Sequence, residues 1–125
     1  MNKGKSCHIL IVEDNNDTRN LISDILRIHG HVVHSAADGE QALVMARQHN
    51  YDIIFMDLML PKKNGLETSE LILKEKPKQK IIVLSACLSR ANVKKLKAMG
   101  IQRNIPKPFR ISEVFKAINE EMRAV

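Results

Sequence analysis

Aromatic residues are scarce in this chain of 125 residues: it has no tryptophan, one tyrosine and three phenylalanines, 3% of the total. So thin a set offers no stacking platform for single-stranded nucleic acid. The two cysteines, Cys7 and Cys87, fall on different expected elements and show neither CxxC nor Cys/His ligand spacing. Neither a disulfide framework nor a zinc site is therefore indicated, and each cysteine reads as a small buried hydrophobe or an unbridged thiol. No apolar run approaches the roughly 20 residues of a membrane span. The N-terminus MNKGKSCHIL carries too short an apolar segment for a signal peptide, so a cytoplasmic protein with no membrane partner is expected. There is no GxxxxGK[ST] nucleotide loop, no internal repeat and no low-complexity linker.

What is present fits one globular domain. A chain of this length buries about two thirds of its unfolded surface, and 44% of its residues are hydrophobic. Residues 1–6 are polar and basic and read as a flexible lead, with the domain itself over 7–125. Twenty Lys and Arg against fourteen Asp and Glu give a net charge of +6. Basic domains can bind nucleic acid. With few aromatics and no recognition helix of known type, direct nucleic acid binding by this domain is not expected. The five histidines, among them His29 and His31 around Gly30, read as a turn and a solvated edge rather than as ligands.

Short apolar runs alternate with helical periodicity along the whole chain. HILIV is a first strand, ending at Glu13-Asp14. Asn15 or Asn16 caps a helix with Leu21, Ile22, Ile25, Leu26 and Ile28 at helical spacing, and Gly30 ends it. The half-polar run His31 to Ala36 suits an outer strand. Asp38 and Gln41 stand at capping-box spacing before a helix striped by Ala42, Leu43, Met45 and Ala46. Asn64 and Glu67 repeat that spacing before a third helix with Leu66, Leu71 and Ile72 inside, which Pro77 stops. IIVL is a fourth strand, apolar throughout and so buried on both faces. The fourth helix, from about Ser89 to Met99, has a thin stripe of Val93, Leu96 and Met99 among Arg90, Lys94, Lys95 and Lys97, a composition that implies easy displacement. Gln102 to Ile105 form a last strand, and Ser112 is placed to cap a final helix striped by Ile111, Val114, Phe115, Ile118 and Met122. Five strands alternating with five helices predict an α/β fold, a doubly wound five-stranded parallel sheet in the flavodoxin-like order 2-1-3-4-5.

The stretch around which this pattern turns is FMDLMLPKKNG, Phe55 to Gly65. Asp57 follows four apolar residues and stands where the strand ends, because Pro61 forbids its continuation. Its carboxylate therefore emerges at the carboxyl edge of the sheet, where open α/β sheets place their ligands. Glu13-Asp14, Ser85 and Lys107 lie at the ends of other expected strands, so three carboxylates, a hydroxyl and an ammonium converge. Clustered carboxylates raise one another's pKa unless a cation lies among them. Mg2+, a hard ion with oxygen ligands, meets that need. Beside such an ion an aspartate can act as a nucleophile toward phosphorus, with the lysine and the hydroxyl binding the phosphoryl oxygens.

The set Glu13-Asp14, Asp57 with Pro61 and Gly65, Ser85-Ala86 and Lys107-Pro108 resembles the signature of the receiver domains of two-component response regulators, of the chemotaxis-regulator kind. It spans roughly Cys7 to Glu121 in the family's order and spacing. The resemblance implies that Asp57 accepts a phosphoryl group. It implies that Asp14, with Glu13 through water, holds Mg2+ together with Asp57 and the backbone carbonyl of Met59, and that Mn2+ can substitute. Lys107 would pair with the phosphoryl group, Ser85 would move to hydrogen-bond it, and the Lys107-Pro108 bond would be cis. The donor would be the phosphohistidine of a sensor histidine kinase or a histidine phosphotransfer domain. The output would pass through the face formed by helix four, strand five and helix five to a downstream effector domain or protein. On this reading the chain is a signalling phosphoacceptor rather than an enzyme, catalysing only its own phosphorylation and slow dephosphorylation.

Two departures concern the family's usual pattern, one at Asn104 and one at Met59 and Cys87. Asn104 stands where members commonly carry a tyrosine or phenylalanine that turns inward when the hydroxyl moves. Met59 and Cys87 occupy positions that in the family modulate access of the hydrolytic water, and neither orients water well, so self-dephosphorylation no faster than moderate is expected. Two rival classes remain. One is a receiver-like interaction module that acts without phosphate. The other is an enzyme proper, either an aspartyl-phosphate hydrolase, which would want a second acid where Met59 stands, or a flavin binder, which would want aromatic or hydroxyl-rich loops.

Overall fold

The structure is a computed structural model, and it describes residues 6–60, 62–86 and 88–123. The elements run β1 (His8–Val12), α1 (Asn16–Ile28), β2 (Val32–Ala36), α2 (Gly39–Gln48), β3 (Ile53–Asp57), α3 (Gly65–Glu75), β4 (Lys80–Ser85), α4 (Arg90–Ala98), β5 (Asn104–Pro106) and α5 (Ile111–Arg123). The five strands form one sheet in the order β2-β1-β3-β4-β5, and every pairing is parallel.

Continuous apolar strands are what such a sheet requires, because helices cover both of its faces. Side chains alternate across the pleat, so each strand divides its residues between two cores. Leu10, Val12, Ile54, Met56, Ile81 and Val83 face α2, α3 and α4, meeting Ala42, Leu43, Ala46, Ile72 and Leu96. Ile9, Ile11, Ile53, Phe55, Ile82 and Leu84 face the opposite layer of α1 and α5, meeting Ile22, Leu26, Val114, Ala117 and Ile118. All five residues of β3 are buried, Asp57 included. A carboxylate is thus held at the carboxyl end of the central strand, with solvent largely shut out.

Three of the four helix caps expected from the sequence recur. Asn15, Asp38 and Asn64 each accept the backbone N–H of the residue three positions on. At α5 the expectation fails. Ser112 lies inside the helix, which begins at Ile111, and the Glu113 carboxylate instead accepts the Arg110 N–H at 2.9 Å. Leu21 and Ile28 also depart from the expected buried stripe of α1, since both are exposed. They lie off the arc of Ile22 and Leu26 that meets the sheet. β5 is three residues long and starts two later than the pattern implied, at Asn104. The residue before it, Arg103, donates from its side chain to Glu120 and Glu121 of α5.

Ser6 donates to the Gly30 carbonyl at 2.7 Å, while the rest of the expected lead lies outside the described residues. Pro61 and Cys87 lie outside them as well. Cys7 is buried, and burial followed by the charge of Asp52 pushes its thiol pKa up, as suits a small core residue. His31 Nδ1 accepts the Cys7 N–H at 3.1 Å, and His34 Nδ1 pairs with the Tyr51 hydroxyl at 2.7 Å. Neither histidine belongs to the carboxylate cluster, the one group of potential metal ligands among the described residues.

Candidate functional site

Every strand that contributes to the site delivers its residue at or just beyond its carboxyl end. β1 stops at Val12, and the Glu13 N–H bonds the Ala36 carbonyl at the end of β2, 3.1 Å away. That bond turns the Glu13 side chain into the protein, where it is 1% exposed, and leaves Asp14 facing solvent. β3 ends on Asp57, 2% exposed. The Lys107 N–H bonds the Ser85 carbonyl at 2.8 Å, so the end of β4 sets where the lysine departs from β5. The Lys107-Pro108 bond is cis.

The side chains converge. Carboxylate oxygens of Glu13, Asp14 and Asp57 lie within 4.8 Å of one another. Lys107 Nζ donates to Glu13 Oε1 at 2.6 Å and to Asp57 Oδ2 at 3.0 Å. Asp57 Oδ1 accepts the Met59 N–H at 3.0 Å, and Glu13 Oε2 accepts the Asn15 N–H at 3.2 Å. Arg19 donates to the Glu13 carbonyl at 2.9 Å, tying α1 to the same turn. Of the residues singled out from the sequence, Glu13, Asp14, Asp57, Met59 and Lys107 all line one cavity of about 960 Å³. Ser85 is buried beside it, and Ala86 forms the wall at that point.

Burial dominates the electrostatics. Desolvation raises the Glu13 pKa, the hydrogen bonds from Lys107 and the Asn15 N–H oppose the rise, and the charge of Asp57 adds to it. For Lys107 desolvation works against the ammonium, but its hydrogen bonds to Glu13 and Asp57 outweigh that and leave its pKa raised. The lysine is therefore a firm cation at neutral pH. Three carboxyl groups share one ammonium, so the cluster is rich in acidic oxygens and short of positive charge. A donor set of hard oxygens, part buried and part open to solvent, fits a divalent ion of the Mg2+ type.

Several residues that the sequence marks only as helix stripe, or not at all, border the site. Leu21, Ile22 and Ile25 of α1, with Phe109 and Ile111 beyond Lys107, form an apolar wall to the same cavity. Leu21 has the spacing of a core residue, and nothing local distinguishes a helix face that meets a sheet from one that borders a cavity. Gly39, read only as part of a helix start, proves to be in backbone contact with the loop after β3.

A doubly wound parallel sheet with buried carboxylates and a lysine gathered at its carboxyl edge defines a receiver domain, a signalling domain rather than an enzyme of the usual kind. The chain belongs to the response regulator receiver domain family, whose model matches residues 9–119. It is 34% identical over 113 residues to the chemotaxis protein CheY of Thermotoga maritima, covering 90% of this chain and 94% of that one. It is 32% identical over 115 residues to the transcriptional regulatory protein CpxR of Escherichia coli, covering 92% of this chain but only 49% of CpxR. The chain thus spans nearly all of the first relative and about half of the second. Among solved structures, a CheX-CheY-BeF3-Mg2+ complex from Borrelia burgdorferi matches at a TM-score of 0.85 and 27% identity, covering 92% of this chain and 88% of that one. Receiver domains work with histidine kinases or phosphotransfer proteins on one side and effectors on the other. No helix among the described residues is long and apolar enough to cross a membrane.

Proposed function

We propose that this receiver domain takes a phosphoryl group onto Asp57 from a phosphohistidine and uses it to change the partners of its α4–β5–α5 face. The observation that carries this reading is Lys107 Nζ held between Glu13 and Asp57 beside a third carboxylate. In the transfer an Asp57 carboxylate oxygen forms a bond to phosphorus as the bond from phosphorus to the donor imidazole nitrogen breaks, and the ring leaves with that bond's electron pair, as neutral imidazole because its other nitrogen carries a proton. Lys107 neutralises charge on the arriving phosphoryl oxygens, which is catalysis by positioning and electrostatics. Glu13, Asp14, Asp57 and the Met59 carbonyl would hold Mg2+, or Mn2+ in its place. The ion supplies charge neutralisation of the reacting oxygens. The Borrelia CheX-CheY complex holds Mg2+ together with BeF3, which supports a divalent ion in a domain of this kind.

Phosphorylation adds roughly two negative charges at the sheet's edge. The Ser85 hydroxyl moves to meet them, drawing the loop after β4 inward. α4 is the element poised to follow, because Leu96 is its one buried residue. We place the action in the cytoplasm. The effector is a further domain of a longer chain, as the half-length match to CpxR allows, or a separate protein. Asn104 is exposed on β5, so aromatic burial is not the readout. That position is the one observation favouring the alternative of a constitutive interaction module. Incubation with Mg2+ and acetyl phosphate separates the two: a gain of one phosphoryl mass supports the proposal, and an unchanged mass supports the module.

The apolar wall beside Asp57 gives a donor helix a seat next to the acceptor. Leu21, 61% exposed, is its outermost member. Leu21→Asp is expected to slow transfer from a phosphohistidine protein by about tenfold or more, and to slow uptake from acetyl phosphate far less. Equal slowing from both donors would remove the wall from donor docking. Met59 is 73% exposed at the cavity mouth and has no group to orient water. The phosphorylated form is therefore expected to persist for minutes or longer without a phosphatase; decay within seconds, followed by intact-protein mass, would contradict this.

A further inference from the structure

We propose that Gly39, on α2 and remote in sequence from the acceptor, is a positioning residue for the loop that carries Met59, and so for metal affinity at Asp57. The inference rests on the reading of Asp57 and its Mg2+ site given above. Gly39 is buried at the first turn of α2, and its Cα faces the far end of the loop after β3. A Cβ there would fall far inside contact distance of the Lys63 carbonyl oxygen and of Thr68 Oγ1, and 2.9 Å from the Lys63 carbonyl carbon. The nearest obstacle is backbone, and the other, the Thr68 hydroxyl, is buried, so the two segments would have to part by roughly 1 Å.

The residues that follow Lys63 are tightly held as well. Gly65 packs on Asp57 itself: a Cβ there would collide with the Asp57 carbonyl and lie 2.7 Å from Leu58 Cα. The Gly65 N–H bonds the Leu58 carbonyl at 3.2 Å, and the Met59 N–H bonds the Asp57 carboxylate at 3.0 Å. Thr68, fully buried, donates its hydroxyl to the Asn64 carbonyl at 2.7 Å and lies 3.3 Å from that of Lys63. Asp38 meets Lys62 in an ion pair of 3.6 Å.

Independent evidence of constraint comes from Lys62, which holds a left-handed φ of 64°. A lysine keeps that conformation only where its surroundings over-determine it. Gly39 and Thr68 therefore fix the position of Lys63, and Gly65 fixes that of Asp57 and Leu58. A displacement at Lys63 passes through Asn64 and Gly65 to the Asp57 and Leu58 backbone on which Gly65 packs, and so to Met59, whose backbone carries both a hydrogen bond to the acceptor and the carbonyl assigned to the ion.

Calorimetric titration of the full chain with Mg2+ tests this. Gly39→Ala is expected to raise the Mg2+ Kd about tenfold, the usual scale for losing a group that orients metal ligands. Thr68→Val, which keeps the volume and removes the hydroxyl, should raise it by a smaller factor and serves if Gly39→Ala does not fold. Ile118→Ala, in the opposite core layer, is the control for lost stability alone and should leave Kd near the wild-type value. Hydrogen exchange at the Met59 amide should quicken in the first two variants and not in the third. Wild-type binding with unmoved Kd in Thr68→Val and in a folded Gly39→Ala overturns this proposal alone. A wild-type chain that binds no Mg2+ overturns the functional reading and this proposal with it.

Discussion

Asp57→Asn is expected to leave the fold intact and to abolish the phosphoryl mass that the wild-type chain gains from acetyl phosphate and Mg2+. Asparagine matches aspartate in size, and its amide oxygen can still accept the Met59 N–H that Asp57 Oδ1 accepts now. What it lacks is the anionic oxygen that must form the bond to phosphorus. Lys107 keeps Glu13 as a partner at 2.6 Å, so the variant does not strand a buried ammonium. It also removes the charge that adds to the rise of the Glu13 pKa, which should move back toward the ordinary carboxylate range. The variant should therefore melt no lower than wild type, while uptake falls below detection and Mg2+ binds more weakly. Intact-protein mass spectrometry before and after acetyl phosphate reads the first effect and a thermal melt the second. A mass gain of equal size in Asp57→Asn would mean that the acceptor lies elsewhere.

The second large effect is expected of Lys107→Ala. That change leaves Glu13 and Asp57, 1% and 2% exposed, facing each other with no ammonium between them. Removing one partner of a buried ion pair costs about 3 kcal/mol or more, because a desolvated charge is left unpaired. The sign of its pH dependence follows from Glu13. Its pKa is raised in the folded chain, so the folded state holds that proton more tightly than the unfolded state does. Protonation of Glu13 thus contributes stability below the ordinary carboxylate value, and that contribution is lost as pH rises through the raised value. Without Lys107 the raised value climbs further, so the deficit of the variant should be largest at neutral pH and shrink on acidification. Mg2+ should narrow the same deficit by supplying the missing positive charge, and it should raise the melting temperature of Lys107→Ala by more than that of wild type. Phosphoryl uptake should slow by about 10²-fold, the scale for losing one group that stabilises developing charge. Melts across pH, with and without Mg2+, test the stability claim. A deficit that neither acid nor Mg2+ reduces would place the role of Lys107 outside this cluster.

The two cases show why the acceptor site was legible in the chain. Asp57 follows an apolar run and precedes a strand-breaking residue, and Glu13-Asp14 follow another such run. Where a strand stops is governed by near neighbours, so the residues at its end can be read locally. The alternation of strands and helices gave a parallel doubly wound sheet, and the flavodoxin-like order expected for it is the one observed. The errors share a cause of the opposite kind. Ser112 has the chemistry of a cap, but α5 opens at Ile111 with Glu113 reaching back to Arg110, and the difference lies in how the chain leaves the rim of the sheet. Leu21 sits at the spacing of a core residue, yet it borders the cavity, because the arc of α1 that meets the sheet is filled by Ile22 and Leu26.

Local chemistry alone therefore determined which residues could serve: the three acids, the hydroxyl and the lysine stand at strand ends whatever the helices do. Only the folded arrangement decided their distances, the apolar wall beside Asp57, and the meeting of Gly39 with Lys63. Those depend on segments far apart along the chain being pressed together by a two-sided core. Such contacts leave no trace in the spacing of neighbouring residues.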